Sequence, residues 1–581
     1  MLDYVIKGGT IVDGSGGPTT SGDIGVKDGV IVAIGQIDEA AREVIDADGA
    51  IVTPGFIDLH THYDGQVTWD DVLEPSASNG VSTIVLGNCG VGFAPVRPQD
   101  HDALIDMMEG VEDIPGTALS IGMPWGEWET FPQYLDIIER RSYSANIACQ
   151  ISHGPLRFYV MGDRAYEDLD ATPEEVEQMA QIVHDAMLAG AAGFSTNRFA
   201  AHKSKSGWTV PGTFAAFEEV QALTAAVGAS GRGVIQVISD GTIWPGEEIE
   251  EMPELGMMGK ISKTTGRPLT FSTFQTGPQS NVFRRVLDGT AAWNARGAKL
   301  RPQIIPRAVT LMTTLGGYHG FMARPTYKKL THLPVPKRAA EMRKPDVRAQ
   351  ILAETDEDGD EIRFSKTLTG RLDIIFPLAA PIDYEPDPAS SVAGQARALG
   401  KDPIEHYYDL LAEGDGDAFF SIFSSNFQDG TLEPSYAMLL DPNTVSGLSD
   451  AGAHVMMISD CSAPTFHLTH WVRDRTRGPR VPLETAVHKL TGAPADLYGL
   501  TDRGLLKVGM RADINVIDLD KLTIQEPYIR ADLPTGARRV LQPSTGYLAR
   551  LVNGIMVRRN DTDTGARPGH LLRSQAMEVA A

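Results

Sequence analysis

Short apolar segments of alternating pattern, broken by glycine and aspartate, open the chain: Tyr4-Val5-Ile6, Thr10-Ile11-Val12, Asp23-Ile24-Gly25-Val26, Val30-Ile31-Val32 and Val44-Ile45-Asp46. Closely spaced runs of this kind, with Asp-Gly turns between them, predict the short strands of a small β-sandwich or meander. The far end repeats the texture in Ile514-Asn515-Val516-Ile517 and in Val552-Asn553-Gly554-Ile555-Met556-Val557. Too few strands lie at either end to close a sheet pair. The two ends are therefore expected to join in one β-sandwich domain made of residues 1–53 and 508–581.

Between them, over 54–507, the pattern changes. Apolar runs at 81–86, 146–151, 192–195, 234–238, 269–274, 300–305 and 445–448, with one more ending at His60, alternate with helical stretches such as 173–189 and 214–227. Strands buried on both faces lose the polar alternation and read as continuous apolar runs. Eight of them with intervening helices predict an α/β fold, a (β/α)8 TIM-like barrel. A ninth run, Phe419-Phe420-Ser421-Ile422-Phe423, has the same texture, and pattern alone does not say which of the nine lies outside. An excursion at about 318–395 fits no simple unit, mixing Pro334-Val335-Pro336, an acidic run at 354–361 and a Pro/Asp-rich stretch near 381–388. A lid or specificity element and a solvated surface insertion are both open readings of such a loop-side excursion.

A length of 581 residues suits a large barrel with appendages better than a single small core. The 76 acidic against 51 basic residues give a net charge of −25, which argues against nucleic acid or an anionic membrane as the main partner. Three cysteines, Cys89, Cys149 and Cys461, are too few for a disulfide framework and compatible with a reducing cytosol. The N-terminal residues lack the basic segment and apolar core of a signal peptide, and no apolar run approaches membrane-spanning length. The expectation is a soluble cytoplasmic protein.

Candidate chemistry sits where the apolar runs end, because active sites of this barrel lie at the C-terminal ends of its strands. The first run ends in Asp58-Leu59-His60-Thr61-His62. Alternate side chains of an extended segment face the same way, so His60 and His62 would point together, a start on a site for zinc or another divalent metal. The second ends in Gly87-Asn88-Cys89-Gly90, the third in Ser152-His153-Gly154 and the last in Ser449-Asp450-Ala451-Gly452-Ala453-His454. Cys89 is either a thiolate ligand or a small buried hydrophobe. Asp450 is a metal ligand, a proton shuttle or only a helix N-cap. His153 is either a hydrogen-bond donor to substrate or oxyanion or a satisfied core histidine. For His454, His467 and His470, clustered after Asp450, packing or surface exposure is the simpler reading.

Together these residues resemble the amidohydrolase superfamily, and within it the D-aminoacylase (N-acyl-D-amino-acid deacylase) branch. The likeness runs from Ile6-Lys7-Gly8-Gly9-Thr10-Ile11-Val12-Asp13-Gly14, through Pro54-Gly55-Phe56-Ile57-Asp58-Leu59-His60-Thr61-His62 and Gly447-Leu448-Ser449-Asp450, to Val552-Asn553-Gly554. Gly87-Asn88-Cys89-Gly90 favours the branch. The resemblance implies a metal-dependent hydrolase that cleaves the N-acyl amide bond of a small molecule with metal-activated water, Asp450 serving as general base and acid. It implies one metal site from His60, His62 and Asp450, with Cys89 the cysteine ligand of a neighbouring site. Relatives complete that second site with histidines closing strands five and six, where ungapped placement sets Gln236 and Thr273. The lysine that grips the substrate carboxylate in relatives falls on Gln275. A neutral amide is a poor zinc ligand beside imidazole or thiolate. One tightly bound Zn2+ is therefore expected in preference to two, with Cys89 a partial ligand, and a substrate other than a free N-acyl-D-amino acid. Ester, lactone or carbamate hydrolysis and a non-catalytic scaffold are the alternatives. A homo-oligomer is compatible with such a family, and no stretch of this chain specifies one.

Overall fold

Every residue of Val81–Leu86, Asn146–Ser152 and Val234–Ser239 is buried, so these strands are covered on both faces, as continuous apolar runs require. In the computed structural model, which describes residues 1–575 apart from 168, 244–251, 358–360 and 458–459, they belong to one eight-stranded sheet. Its members in chain order are Phe56–Asp58, Val81–Leu86, Asn146–Ser152, Gly193–Arg198, Val234–Ser239, Leu269–Ser272, Leu300–Ile304 and Val445–Ser446. Neighbours pair in parallel throughout. The two edges meet just past their last ladder residues, where Thr61 forms a parallel bridge with Ala451. There the His62 amide donates to the Ala451 carbonyl at 2.8 Å and the Asp450 amide to the His60 carbonyl at 3.1 Å. The sheet thus closes as a (β/α)8 barrel.

The ninth apolar run is the one outside it. Phe419–Ser425 is the middle strand of a three-stranded antiparallel sheet, between Val309–Thr314 and Ile375–Leu378. Flanked by partners on both edges and packed with Phe321, Tyr327, Ile351, Tyr407 and Tyr408, it is buried for the same reason as a barrel strand. The excursion at 318–395 lies inside this longer module, Val309–Ser425, which has its own core. Within the acidic run at 354–361, residues 358–360 fall outside the described residues.

Both chain ends share a nine-stranded sheet. Ile51–Pro54 and Ile514–Ile517 pair antiparallel at its middle, and Leu2–Ile11, Thr20–Lys27 and Tyr547–Val552 extend it. Ile6, Ile24, Val52, Ile514, Val516 and Leu551 form its core. Arg550 pins the sheet to the barrel: its buried guanidinium donates to the carbonyls of Ala77, Val81 and Ser144. Residues of 522–547, among them Leu522, Ile524, Leu533 and Tyr547, pack instead into the barrel's own core.

Candidate metal centre at the barrel mouth

The strand order places four of the candidate residues together. His60 and His62 flank the bridge residue Thr61, and their rings lie 5.3 Å apart. Cys89 follows the second strand, with its Sγ 3.1 Å from His60 Nε2. Asp450 follows the last strand, across the barrel seam, with Oδ1 3.4 Å from His60 Nε2 and 3.7 Å from His62 Nε2. Donor atoms of His60, His62 and Cys89 fall within 4.8 Å of one another, so one cation could reach all three. Cys89 therefore stands against His60 itself.

The backbone is bent to make this possible. Cys89 has φ 55° and Asp450 φ 48°, both in the left-handed region that side chains seldom occupy. Such conformations cost about 1–3 kcal/mol each and persist where the surroundings hold them. At Asp450 the hold comes from its amide bond to His60 and from the preceding Ser449, whose hydroxyl donates to Asp58.

Burial dominates the electrostatics. It pushes the imidazole of His60 down to about 4 and that of His62 well below its usual range, so both rings are neutral and offer lone pairs. It pushes Asp450 and Asp64 up to about 7 and Glu112 and Cys89 well above their usual ranges, with the neighbouring carboxylates adding to the effect for all but Asp64. Carboxyls and a thiol crowded in this way lack a positive charge. Several of the buried polar atoms also lack a hydrogen-bond partner among the described residues: His62 Nδ1, Asp64 Oδ2, Glu112 Oε1, Gln236 Nε2 and Gln303 Nε2. Two imidazoles, a thiol and a carboxylate are the donors zinc prefers, and of the unpartnered atoms the carboxylate oxygens of Asp64 and Glu112 are acceptors that suit a nearby cation. The residues fit a divalent metal ion.

Two side chains at the centre had no signal in the sequence. Gln303, on the seventh strand, has Oε1 2.8 Å from His60 Nδ1. Glu112, the last residue of helix His101–Glu112, has Oε1 3.4 Å from His62 Nδ1 and Oε2 3.6 Å from His454 Nε2. Neither a glutamine inside an apolar run nor a glutamate on an amphipathic helix announces a site. His454 and Asp450 form the entrance: their side chains are 24% and 28% exposed, against 1–3% for His60, His62 and Glu112.

The other candidates do not join the donor set. Gln236 Oε1 accepts the Cys89 amide at 3.0 Å, so it shapes the loop that carries the thiol. Thr273 donates to the Thr242 carbonyl at 3.2 Å. The Gln275 amide is engaged by Asp429 at 2.6 Å. His467 bonds Ser446, and His470 bonds Glu385.

His153 is not presented to the mouth. It begins helix His153–Met161, its Nδ1 pairs with Thr196 Oγ1 and its Nε2 with Glu219 Oε1, both at 2.9 Å. Arg157 donates to the same carboxylate at 2.9 Å. Both ring nitrogens are spent, so this histidine serves a buried ion-pair network. Burial would raise the Glu219 carboxyl, but His153 and Arg157 outweigh it and bring it down to about 2 from an ordinary 4.5. A depressed carboxyl stabilises the fold fully above its unfolded value and loses that contribution as pH falls toward about 2. Glu219→Gln would leave the Arg157 charge buried beside a neutral amide, and should cost about 3–5 kcal/mol in urea unfolding at pH 7. A change below about 1 kcal/mol, the worth of an exposed pair, would contradict this account.

A parallel barrel whose mouth gathers imidazoles, a thiol and a carboxylate defines a metal-dependent hydrolase. The chain belongs to the amidohydrolase family, whose sequence pattern matches residues 43–552. It is 27% identical to a D-aminoacylase of Alcaligenes xylosoxydans xylosoxydans, over 99% of this chain and 98% of that protein. Among solved structures it is similar to an N-acyl-D-glutamate deacylase of Bordetella bronchiseptica complexed with zinc and a phosphonate inhibitor. That match has 25% identity and a TM-score of 0.63, covering 98% of this chain and 99% of that one. A D-aminoacylase structure shares the fold at a TM-score of 0.65 and 23% identity, covering 99% of this chain and all of that one.

Among the described residues, no helix is long and apolar enough to cross a membrane.

Proposed function

We propose that this centre cleaves the amide bond of an N-acylated small molecule, with one tightly held zinc ion bound by His60, His62, Cys89 and Asp450. The observation that carries the reading is the convergence of His60, His62 and Cys89, whose donor atoms lie within 4.8 Å of one another, with Asp450 Oδ1 3.4 Å and 3.7 Å from the two imidazoles. A bound divalent ion supplies Lewis acidity, acidifying a water to a pKa of roughly 7 and polarising the scissile carbonyl. Asp450, at the open side of the centre, would take a proton from that water and return it to the departing amine. Burial of His60 and His62 keeps both rings neutral and excludes bulk water behind them.

The named relatives are a D-aminoacylase and an N-acyl-D-glutamate deacylase. Here Gln275 is tied to Asp429 and offers no cation to a carboxylate, which supports a substrate other than a free N-acyl-D-amino acid. A chain with only three cysteines, too few for a disulfide framework, supports a reducing, cytoplasmic setting.

Chelation followed by metal add-back, over a panel of N-acyl amino acids, neutral amides and esters, tests the reading. Amide turnover should vanish with the chelator and return with about one equivalent of zinc per chain. Two equivalents of tightly bound zinc would defeat the single-ion part. Metal-independent inactivity across the whole panel would favour a non-catalytic scaffold, and efficient turnover of N-acetyl-D-amino acids would defeat the substrate part.

A further inference from the structure

Glu112 stands where three parts of the molecule meet. Its carboxylate faces His62 Nδ1 and His454 Nε2. Its carbonyl accepts the His454 amide. The next residue, Asp113, turns the chain with φ 50° and accepts the Tyr318 hydroxyl at 2.9 Å, and Tyr318 belongs to the Val309–Ser425 module. One residue thus touches a metal-ligand histidine and the histidine at the entrance, and its neighbour is bonded to the module.

Stability alone does not account for it. Glu219 and Glu385, the other deeply buried glutamates with histidine partners, are each anchored by an arginine as well: Arg157 in the first case, Arg475 in the second. Glu112 is 2% exposed, no Lys or Arg ion pair reaches it among the described residues, and its Oε1 has no hydrogen-bond partner there. A buried carboxyl without such partners destabilises the fold. Something other than packing therefore has to make use of it.

We infer that Glu112 is a positioning residue of the metal centre: its carboxylate takes the Nδ1–H of His62, so that the ring keeps its Nε2 lone pair turned toward Asp450, and it steadies His454 at the entrance. This rests on the reading of His62 as an Nε2 ligand given above. The separation of 3.4 Å at Oε1 is one that a small ring rotation converts into a hydrogen bond. A carboxylate behind a ligand imidazole fixes its tautomer and raises its basicity. His60 is served differently, by the neutral amide of Gln303, so the charge behind His62 is the stronger lever on affinity.

Glu112→Gln keeps the shape and removes the charge. In the purified full chain, affinity for zinc, measured by competition with a chromophoric chelator, should fall by about 10–100-fold. The visible bands of the cobalt-substituted protein should shift. The urea midpoint of the metal-free variant should equal or exceed that of the metal-free wild type, because an unpartnered buried carboxyl has been removed. Glu112→Asp, which keeps the charge but withdraws it, should recover part of the affinity. A Glu112→Gln protein that binds zinc as wild type with unchanged cobalt bands overturns the inference, as does one whose only defect is a lower metal-free urea midpoint. A wild-type chain that takes up no zinc or cobalt would defeat the metal centre itself, which is a distinguishable failure.

Discussion

The Asp450→Asn protein should fold as wild type and turn over an amide substrate about 10²–10⁴-fold more slowly, the usual worth of a positioned proton-transfer group. The substitution is close to isosteric, and asparagine tolerates the left-handed backbone that position 450 adopts, so the loop should keep its course. What changes is chemical: a neutral amide cannot accept a proton from water at the open side of the centre. The oxygen that faces both imidazoles also loses its charge, so some weakening of metal binding should accompany the loss. Measuring kcat and KM at saturating zinc separates the two effects. A kcat within about tenfold of wild type, below the range typical of such groups, would remove Asp450 from the proton-transfer role.

The His60→Ala protein should lose more. His60 is in contact with Cys89, Asp450 and Gln303 at once, so its removal dissolves the donor set from the middle. Zinc bound to the wild type at about 1,000 times its Kd would stabilise the fold by about 4 kcal/mol through mass action alone. In the variant this zinc-dependent rise in melting temperature should disappear together with amide turnover. Its metal-free form should sit a few kcal/mol below metal-free wild type at most, since only a buried ring is lost. Retention of the zinc-dependent shift would mean that the ion is held elsewhere.

The barrel was legible because most of its strands are buried on both faces, which leaves largely apolar runs alternating with helical stretches along the chain. The same physics produced the ambiguity. Phe419–Ser425 is a middle strand in a second sheet with its own core, and periodicity cannot distinguish one covered strand from another. His60, His62, Cys89 and Asp450 were visible as polar residues closing apolar runs. His153 had the same position in the pattern, but it begins a helix, and its ring turns to Glu219 on the neighbouring helix Phe217–Ser230. Glu112 and Gln303 could not have been found from the chain alone. Their roles arise from tertiary placement, a helix end laid beside one histidine and a strand residue beside the other.

The seam between the first and last strands also bears on when the centre can exist. Asp58 and Ser449, which bond across it, are 391 residues apart in the chain. Contacts this remote form late, after the local units around them. His60, His62 and Cys89 stand on one side of that seam and Asp450 on the other, so a nascent chain on the ribosome holds three of the four donors and lacks the carboxylate until its last barrel strand has emerged. Metal uptake would then act as a latch on the finished cylinder. Until the latch is set, the seam is the place where the barrel should open first, and hydrogen exchange at the amides of His62 and Asp450 is where that opening would be read.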